Sequence, residues 1–250
     1  MAAVLSALLV VAPAAWQVWA YTSTESGTLS GTSGERPVSA VEIDAGSSDV
    51  RVTPRSDRQV AYQAEVRWSV TAPRIEESWL GETLKLTPRC PAAGAVVESG
   101  IGCSVHLDVT VPVGIPLKVT AGSGTMAVSG LGGPVDAEVG AGQLRLTALR
   151  GPLRASVGSG SLEASGLASP QAEIRAGAGS AVARFVAPPE QVTARAGAGS
   201  LRLTVPTATR FRVTARAGAG RCDVAPTMHD PAASGRLDIS ADSGHAEAGY

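Results

Sequence analysis

Leu117-Lys118-Val119-Thr120-Ala121-Gly122-Ser123-Gly124-Thr125-Met126-Ala127-Val128 decides how the second half of this chain is read. Its centre, Gly122-Ser123-Gly124, returns as Gly140-Ala141-Gly142, Gly158-Ser159-Gly160, Gly177-Ala178-Gly179, Gly197-Ala198-Gly199 and Gly218-Ala219-Gly220. A weaker copy, Asp242-Ser243-Gly244, closes the series. The second glycines stand 18, 18, 19, 20, 21 and 24 residues apart. A period near 20 residues is the mark of a solenoid in which each repeat forms one turn.

Gly-Ala-Gly-Ser also resembles silk-like low complexity, so the flanks must discriminate. One, three and five residues before the first glycine stand Ala121, Val119, Leu117, then Val139, Ala137, Val135, then Val157, Ala155, Leu153. Later copies keep the phase with Ala176, Ile174, Ala172, with Ala196, Ala194, Val192 and with Ala217, Ala215, Val213. Two and four residues after the second glycine come Met126 and Val128, Leu144 and Leu146, Leu162 and Ala164, Ala181 and Ala183, Leu201 and Leu203. Apolar residues at period two predict a strand on each side of every corner. Glycine suits such a corner because the bend needs a positive φ, or because the neighbouring turn leaves no room for a Cβ. A third apolar position follows at Leu131, Leu149, Leu167 and Val186, and Pro134, Pro152, Pro170 and Pro189 then open the next turn.

Working outward, Val41, Ile43, Ala45, Val50 and Val52 match the repeat, with Ser48 at the second-glycine position of a first turn. Residues 58–112 break the period. Val60 to Val70 alternates as one long strand, Trp79 to Thr87 reads as a second, and Val105, Leu107, Val109 and Val111 mark a third. This section is expected to be an antiparallel cap or inserted sheet, since an open solenoid end exposes its edges. The fold expected is all-β: a single-stranded parallel β-solenoid or β-helix with turns of about 18–20 residues, the tandem turns filling 116–250.

Met1 to Tyr21 carries no charged side chain, and about 20 apolar residues can span a bilayer. Trp16, Trp19 and Tyr21 stand where an interfacial belt would lie. A transmembrane helix is the first expectation; a cleaved signal with its site at Val18-Trp19-Ala20 and a buried segment are the alternatives. Thr22 to Pro37, rich in Ser, Thr and Gly, is expected as a flexible spacer. Residues 38–250 would then be extracytoplasmic on a single-pass membrane protein. Cys90 and Cys103 flank an Ala- and Gly-rich loop, and outside the cytoplasm such a pair is expected to form a disulfide. Cys222 falls where sister turns place leucine, so it should point inward as a small core residue.

At Val111-Pro112-Val113-Gly114-Ile115-Pro116, leading into Leu117 to Gly124, the chain resembles the bacterial "putative adhesin" solenoids, a domain family of unknown function common in envelope proteins. The resemblance covers roughly residues 38–250, and the apolar segment, polar spacer and cysteine pair resemble actinobacterial members. It implies a parallel β-solenoid outside the membrane and brings no catalytic residues.

The net charge of -1 implies no strong partner of either sign, and no nucleic acid is expected. No catalytic, metal-binding or cofactor-binding residues are expected either. His106, His229 and His245 lack metal-ligand spacing. Ser123 and Ser159 give way to alanine in sister corners, which does not suit a nucleophile. No Gly-Lys-Ser/Thr follows the glycines, and no aspartate sits where a calcium-binding roll needs one. Two outward rows carry more. Lys118, Asp136, Arg154 and Glu173 alternate in sign and should fix the stacking register. Arg175, Arg195 and Arg216 are like-charged and are expected as an anion-binding stripe, unless they fan into solvent or pair with carboxylates. The function expected is a membrane-tethered binding, adhesion or scaffold module whose partner is an envelope polymer or protein. A regulatory component of envelope stress or signalling is the alternative, and a β-helix carbohydrate enzyme is less expected.

Overall fold

In the computed structural model, residues 24–69, 71–90 and 103–250 are described. Among these residues seven strands precede the tandem turns: β1 (Glu25–Thr32), β2 (Ala40–Asp44), β3 (Asp49–Arg55), β4 (Ala61–Trp68), β5 (Arg74–Leu80), β6 (Thr83–Arg89) and β7 (Cys103–Pro112). The corners then pair strands as the sequence phase demands: β8 (Leu117–Ala121) with β9 (Thr125–Ser129), β10 (Val135–Val139) with β11 (Gln143–Thr147), and β12 (Leu153–Val157) with β13 (Ser161–Leu167). Next come β14 (Gln171–Ala176) with β15 (Ser180–Phe185) and β16 (Gln191–Ala196) with β17 (Ser200–Thr204). Last are β18 (Arg212–Ala217) with β19 (Arg221–Val224) and β20 (Arg236–Ala241) with β21 (His245–Gly249).

Each coil gives its first strand to a ten-stranded sheet and its second to an eleven-stranded sheet. Successive coils pair in parallel, as in Val135 with Leu117 and Leu153. Every second side chain points between the sheets, so Val119, Ala137, Ala155, Ile174 and Ala194 are fully buried. The first coil is β2 with β3, resting on β8 and β9, with Ser48 beneath Gly124 as the sequence predicts.

The corner glycines answer a shortage of space. Only Gly124 among them has a left-handed φ, at 97°. A Cβ on Gly142, Gly160, Gly179 or Gly199 would lie 1.8–2.0 Å from the carbonyl oxygen of the coil below. One coil departs locally. A register shift between Ala164 and Leu167 pairs Leu167 with Phe185, so Phe185 fills the core and Val186, expected inside, is 67% exposed.

Several expectations are corrected. The spacer expected over 22–37 contains β1, which pairs antiparallel with β4 from Glu25↔Trp68 to Thr32↔Ala61. Its small residues serve a purpose: Gly27 lies under Trp68 and Gly31 under Tyr62, where a Cβ would meet the rings at 3.2 and 2.6 Å. The single strand expected from Trp79 to Thr87 is a hairpin of β5 and β6, turned at Gly81 with φ 63°. The section 58–112 is not purely an antiparallel cap. Its β6 and β7 form one more parallel coil under β2 and β3, and β4, β1 and β5 then close the two sheets in antiparallel fashion. Tyr62 on β4 donates to the Glu77 carboxylate on β5 at 2.5 Å, joining the sheets across this end.

The last two coils are stacked out of sequence. β20 and β21 lie between β16/β17 and β18/β19, so the coil ending at Val224 is outermost. Among the described residues no helix is long and apolar enough to cross a membrane. The segment Met1–Tyr21, where a transmembrane helix or signal was expected, lies outside the described residues, as do residues 91–102.

Candidate functional site

The outer face of the ten-stranded sheet gathers most of the residues singled out by sequence. Lys118, Asp136, Arg154 and Glu173 stand in one row, each directly beside the next. The row continues through Glu42 to Lys85 on one side, keeping its alternation. On the other side it reaches Thr193, Asp238 and Thr214. Opposite charges about one strand spacing apart attract weakly through water, which suits a register guide more than a source of stability. Arg154 and Glu173 close to 3.1 Å. Beside this row runs a trough of about 520 Å³, walled by Pro116, Pro134 and Pro152 where the coils begin. Proline fits there because the first residues of a strand tolerate a missing donor.

The arginine row is only partly as expected. Arg175 stacks on Arg195. Arg216 does not follow: Ser240 on the intervening β20 separates it from Arg195. Glu173, with 22% of its side chain exposed, accepts ion pairs from three coils at once: Arg154, Arg175 and, at 3.6 Å, Arg195. One half-buried carboxylate therefore relieves the repulsion between the stacked arginines. Carboxylate pairing thus describes Arg175 and Arg195, and Arg216 forms no ion pair among the described residues.

Sequence reading missed two members of this face. Gln171, Gln191, Arg236 and Arg212 form a third row in register. Arg175, Arg195, Arg236, Arg212 and Arg216 thus share four neighbouring strands with only two carboxylates, Glu173 and Asp238. The signal available was the 24-residue step from Gly220 to Gly244, long enough for the chain to pass over one coil and dock inside it.

The remaining candidates disperse. His106 lies 3.8 Å from Asp108 on β7 and His245 lies 3.7 Å from Asp223 near the opposite end of the same sheet. His229 is exposed in the connection after β19. The three histidines are therefore not brought together. Cys90 and Cys103 form the expected disulfide, with Cα atoms 6.0 Å apart, tying the end of β6 to the start of β7. Cys222 points inward but is only half-buried, because its coil is outermost; burial pushes its thiol pKa up. The other displaced ionisations belong to the cap. Arg89 bonded to Glu76 holds that carboxyl low, and burial followed by the Glu77 hydrogen bond holds the Tyr62 phenol high.

No family model and no curated protein matches the chain. Among solved structures it is similar to a putative cell adhesion protein from Clostridium sporogenes, at 9% identity and a TM-score of 0.40, covering 90% of this chain and 99% of that one. It is similar to a putative adhesin from Bacteroides fragilis, at 13% identity and a TM-score of 0.38 over 90% and 97% of the two chains. It is also similar to a putative lipid binding protein from Parabacteroides distasonis, at 14% identity and a TM-score of 0.47 over 89% and 96%.

Proposed function

We propose that this chain is a binding or scaffold module of the cell envelope, held at the membrane by Met1–Tyr21 with the solenoid outside. The observation that carries the binding role is the arginine-rich outer face over β14, β16, β20 and β18. Five guanidinium groups there share one sheet face with two carboxylates, and three of them lie on the last two coils where Glu173 does not reach. Arginine pairs readily with phosphate and carboxylate in bidentate fashion, so the ligand class is a polyanion of the envelope, either a wall polymer or lipid headgroups. The disulfide supports an oxidising, extracytoplasmic setting. The sheet face offers such a ligand repeated sites one strand spacing apart, ~4.8 Å.

Replacing Arg195, Arg212, Arg216 and Arg236 by serine tests this. Retention of the full chain on immobilised polyanion, or on vesicles with anionic headgroups, should fall at least tenfold and should weaken with salt in the unchanged protein. Loss on one matrix alone identifies the source of the anion. Unchanged retention on both would remove this face from the function.

A further inference from the structure

The two ends of the solenoid are finished differently. At the first end β1, β4 and β5 close both sheets in antiparallel fashion, and the Tyr62–Glu77 hydrogen bond spans the gap. At the other end β18 and β19 are the last strands of their sheets. The segment after β19 pairs only with Phe211, the residue before β18, which bonds to Met228 and Asp230. Beyond it, among the described residues, the core layer lies open. Ala215 and Ala217 are exposed and Val213, Cys222 and Val224 half-buried, whereas Val192, Ala194, Ala196, Leu201 and Leu203, two coils further into the stack, are at most 1% exposed.

The backbone phase shows which groups wait at this edge. The amides of Arg221 and Ala225 bond inward to Gly244 and Ala248. Backbone groups alternate sides along a strand, so those of Cys222 and Val224 face outward. The unpaired groups of a sheet edge are a template for another strand.

The charges beside Cys222 are self-complementary. Arg221, Cys222 and Asp223 read plus, thiol, minus. Two copies of β19 set antiparallel about Cys222 place Arg221 opposite Asp223 twice. The row behind Asp223 asks for such a cation. It runs Arg145, Glu163, Val182, Arg202, Glu247, Asp223, with Arg202 and Glu247 at 2.9 Å, and at its end two carboxylates fall side by side. Among the described residues His245, at 3.7 Å, is the one ion-pair partner of Asp223, whose side chain is 56% exposed.

We propose that this open end docks a second copy of the same chain about a two-fold axis through Cys222, edge to edge, with Arg221 of each copy facing Asp223 of the other. A two-fold contact of this kind closes on itself and leaves no growing end. The outer end of a coil measures on the order of 20 Å by 20 Å, below the roughly 800 Å² per partner of a standard interface, so the dimer is concentration-dependent. The arrangement provides its own reporter, because Cys222 is the one free cysteine beside the sealed Cys90–Cys103 pair. Directly paired residues in an antiparallel ladder have Cα atoms ~5.5 Å apart, within disulfide range.

The test uses the full chain in mild detergent with diamide as oxidant. Two Cys222 thiols lose two protons and two electrons, one S–S bond forms, and diamide is reduced to its hydrazine. The unchanged protein should give a single disulfide-linked dimer that Cys222→Ser abolishes. Asp223→Arg should cut the yield at least fivefold, although removing that carboxylate eases ionisation of the thiol, which Asp223 otherwise opposes. The exchanged variant Arg221→Asp/Asp223→Arg should recover it to within twofold. No cross-link from the unchanged chain, yield indifferent to Asp223→Arg, or failure of the exchange to rescue each overturns the proposal. Open-ended oligomers that persist in sedimentation of Cys222→Ser would instead indicate head-to-tail growth, which also overturns it.

Discussion

Gly160 and Ser159 are neighbours in one corner and answer to different constraints. A Cβ on Gly160 would fall 1.8 Å from the Gly142 carbonyl oxygen, and the obstructing atom is backbone that cannot swing away. Gly160→Ala must therefore pry two coils apart, at a cost of about 3 kcal/mol or more. Ser159 points outward and is replaced by alanine in four sister corners, so Ser159→Ala should stay within about 0.5 kcal/mol. Urea denaturation of both variants checks the contrast, and equal effects would discard the crowding argument. Tyr62 sets a second residue-scale expectation. Burial and the Glu77 carboxylate favour its protonated form in the folded state, so its pKa is raised above the unfolded value of about 10. The stabilisation is then complete below pH ~10 and is lost as pH rises through the folded value. Tyr62→Phe should lower stability by about 1 kcal/mol at pH 8, and the gap to the unchanged protein should close above pH 10. A gap that widens there would show the phenol bonded as its anion.

Asp136 sits between Lys118 and Arg154 in the alternating row, and the element-scale claim is that such rows choose the register of whole strands. Asp136→Lys sets three cations side by side, and each like-charged neighbour costs a few tenths of a kcal/mol to about 1. The expected loss is about 1 kcal/mol at low salt, shrinking by half or more at 0.5 M salt, with Asp136→Asn about midway. Salt-independent loss would mean a packing role. The strands themselves were legible because apolar spacing and the glycine corner are local signals that agree, as at Leu117 to Val128. Two elements were not. Glu25–Thr32 looked like a linker because its Gly27 and Gly31 are chosen by ring contacts from Trp68 and Tyr62, and those rings lie over 30 residues away in sequence. The hairpin at Leu80-Gly81 was fused into one strand because Leu80, 85% exposed, mimics a core position. The arginine face was half-read for the same reason: local pattern gives each arginine its side of the sheet, while the docking order of β18 and β20 decides which arginines meet.

At the scale of the whole molecule, the stack order and the chain order disagree at one end, and stability should follow the stack. By sequence position β20 and β21 follow β18 and β19 and would be expected outermost, where a coil opens first. In the stack they are paired on both sides, by β16/β17 within and β18/β19 without, and Leu237, Ala241 and Ala246 are at most 1% exposed. The coil 212–224 has one open edge and an exposed layer, so its opening uncovers little buried apolar surface and breaks ladder bonds on one side only. Local opening free energies track such differences. Hydrogen exchange should therefore be at least tenfold slower for the peptide 236–249 than for 212–224. The measurement belongs on the Asp223→Arg variant, where the self-association proposed above is removed and cannot protect the outer edge. Faster exchange in 236–249 would mean that the final coil lies outermost after all. That result would return Arg216 to the side of Arg195 and, with it, the contiguous arginine stripe that chain order alone suggests.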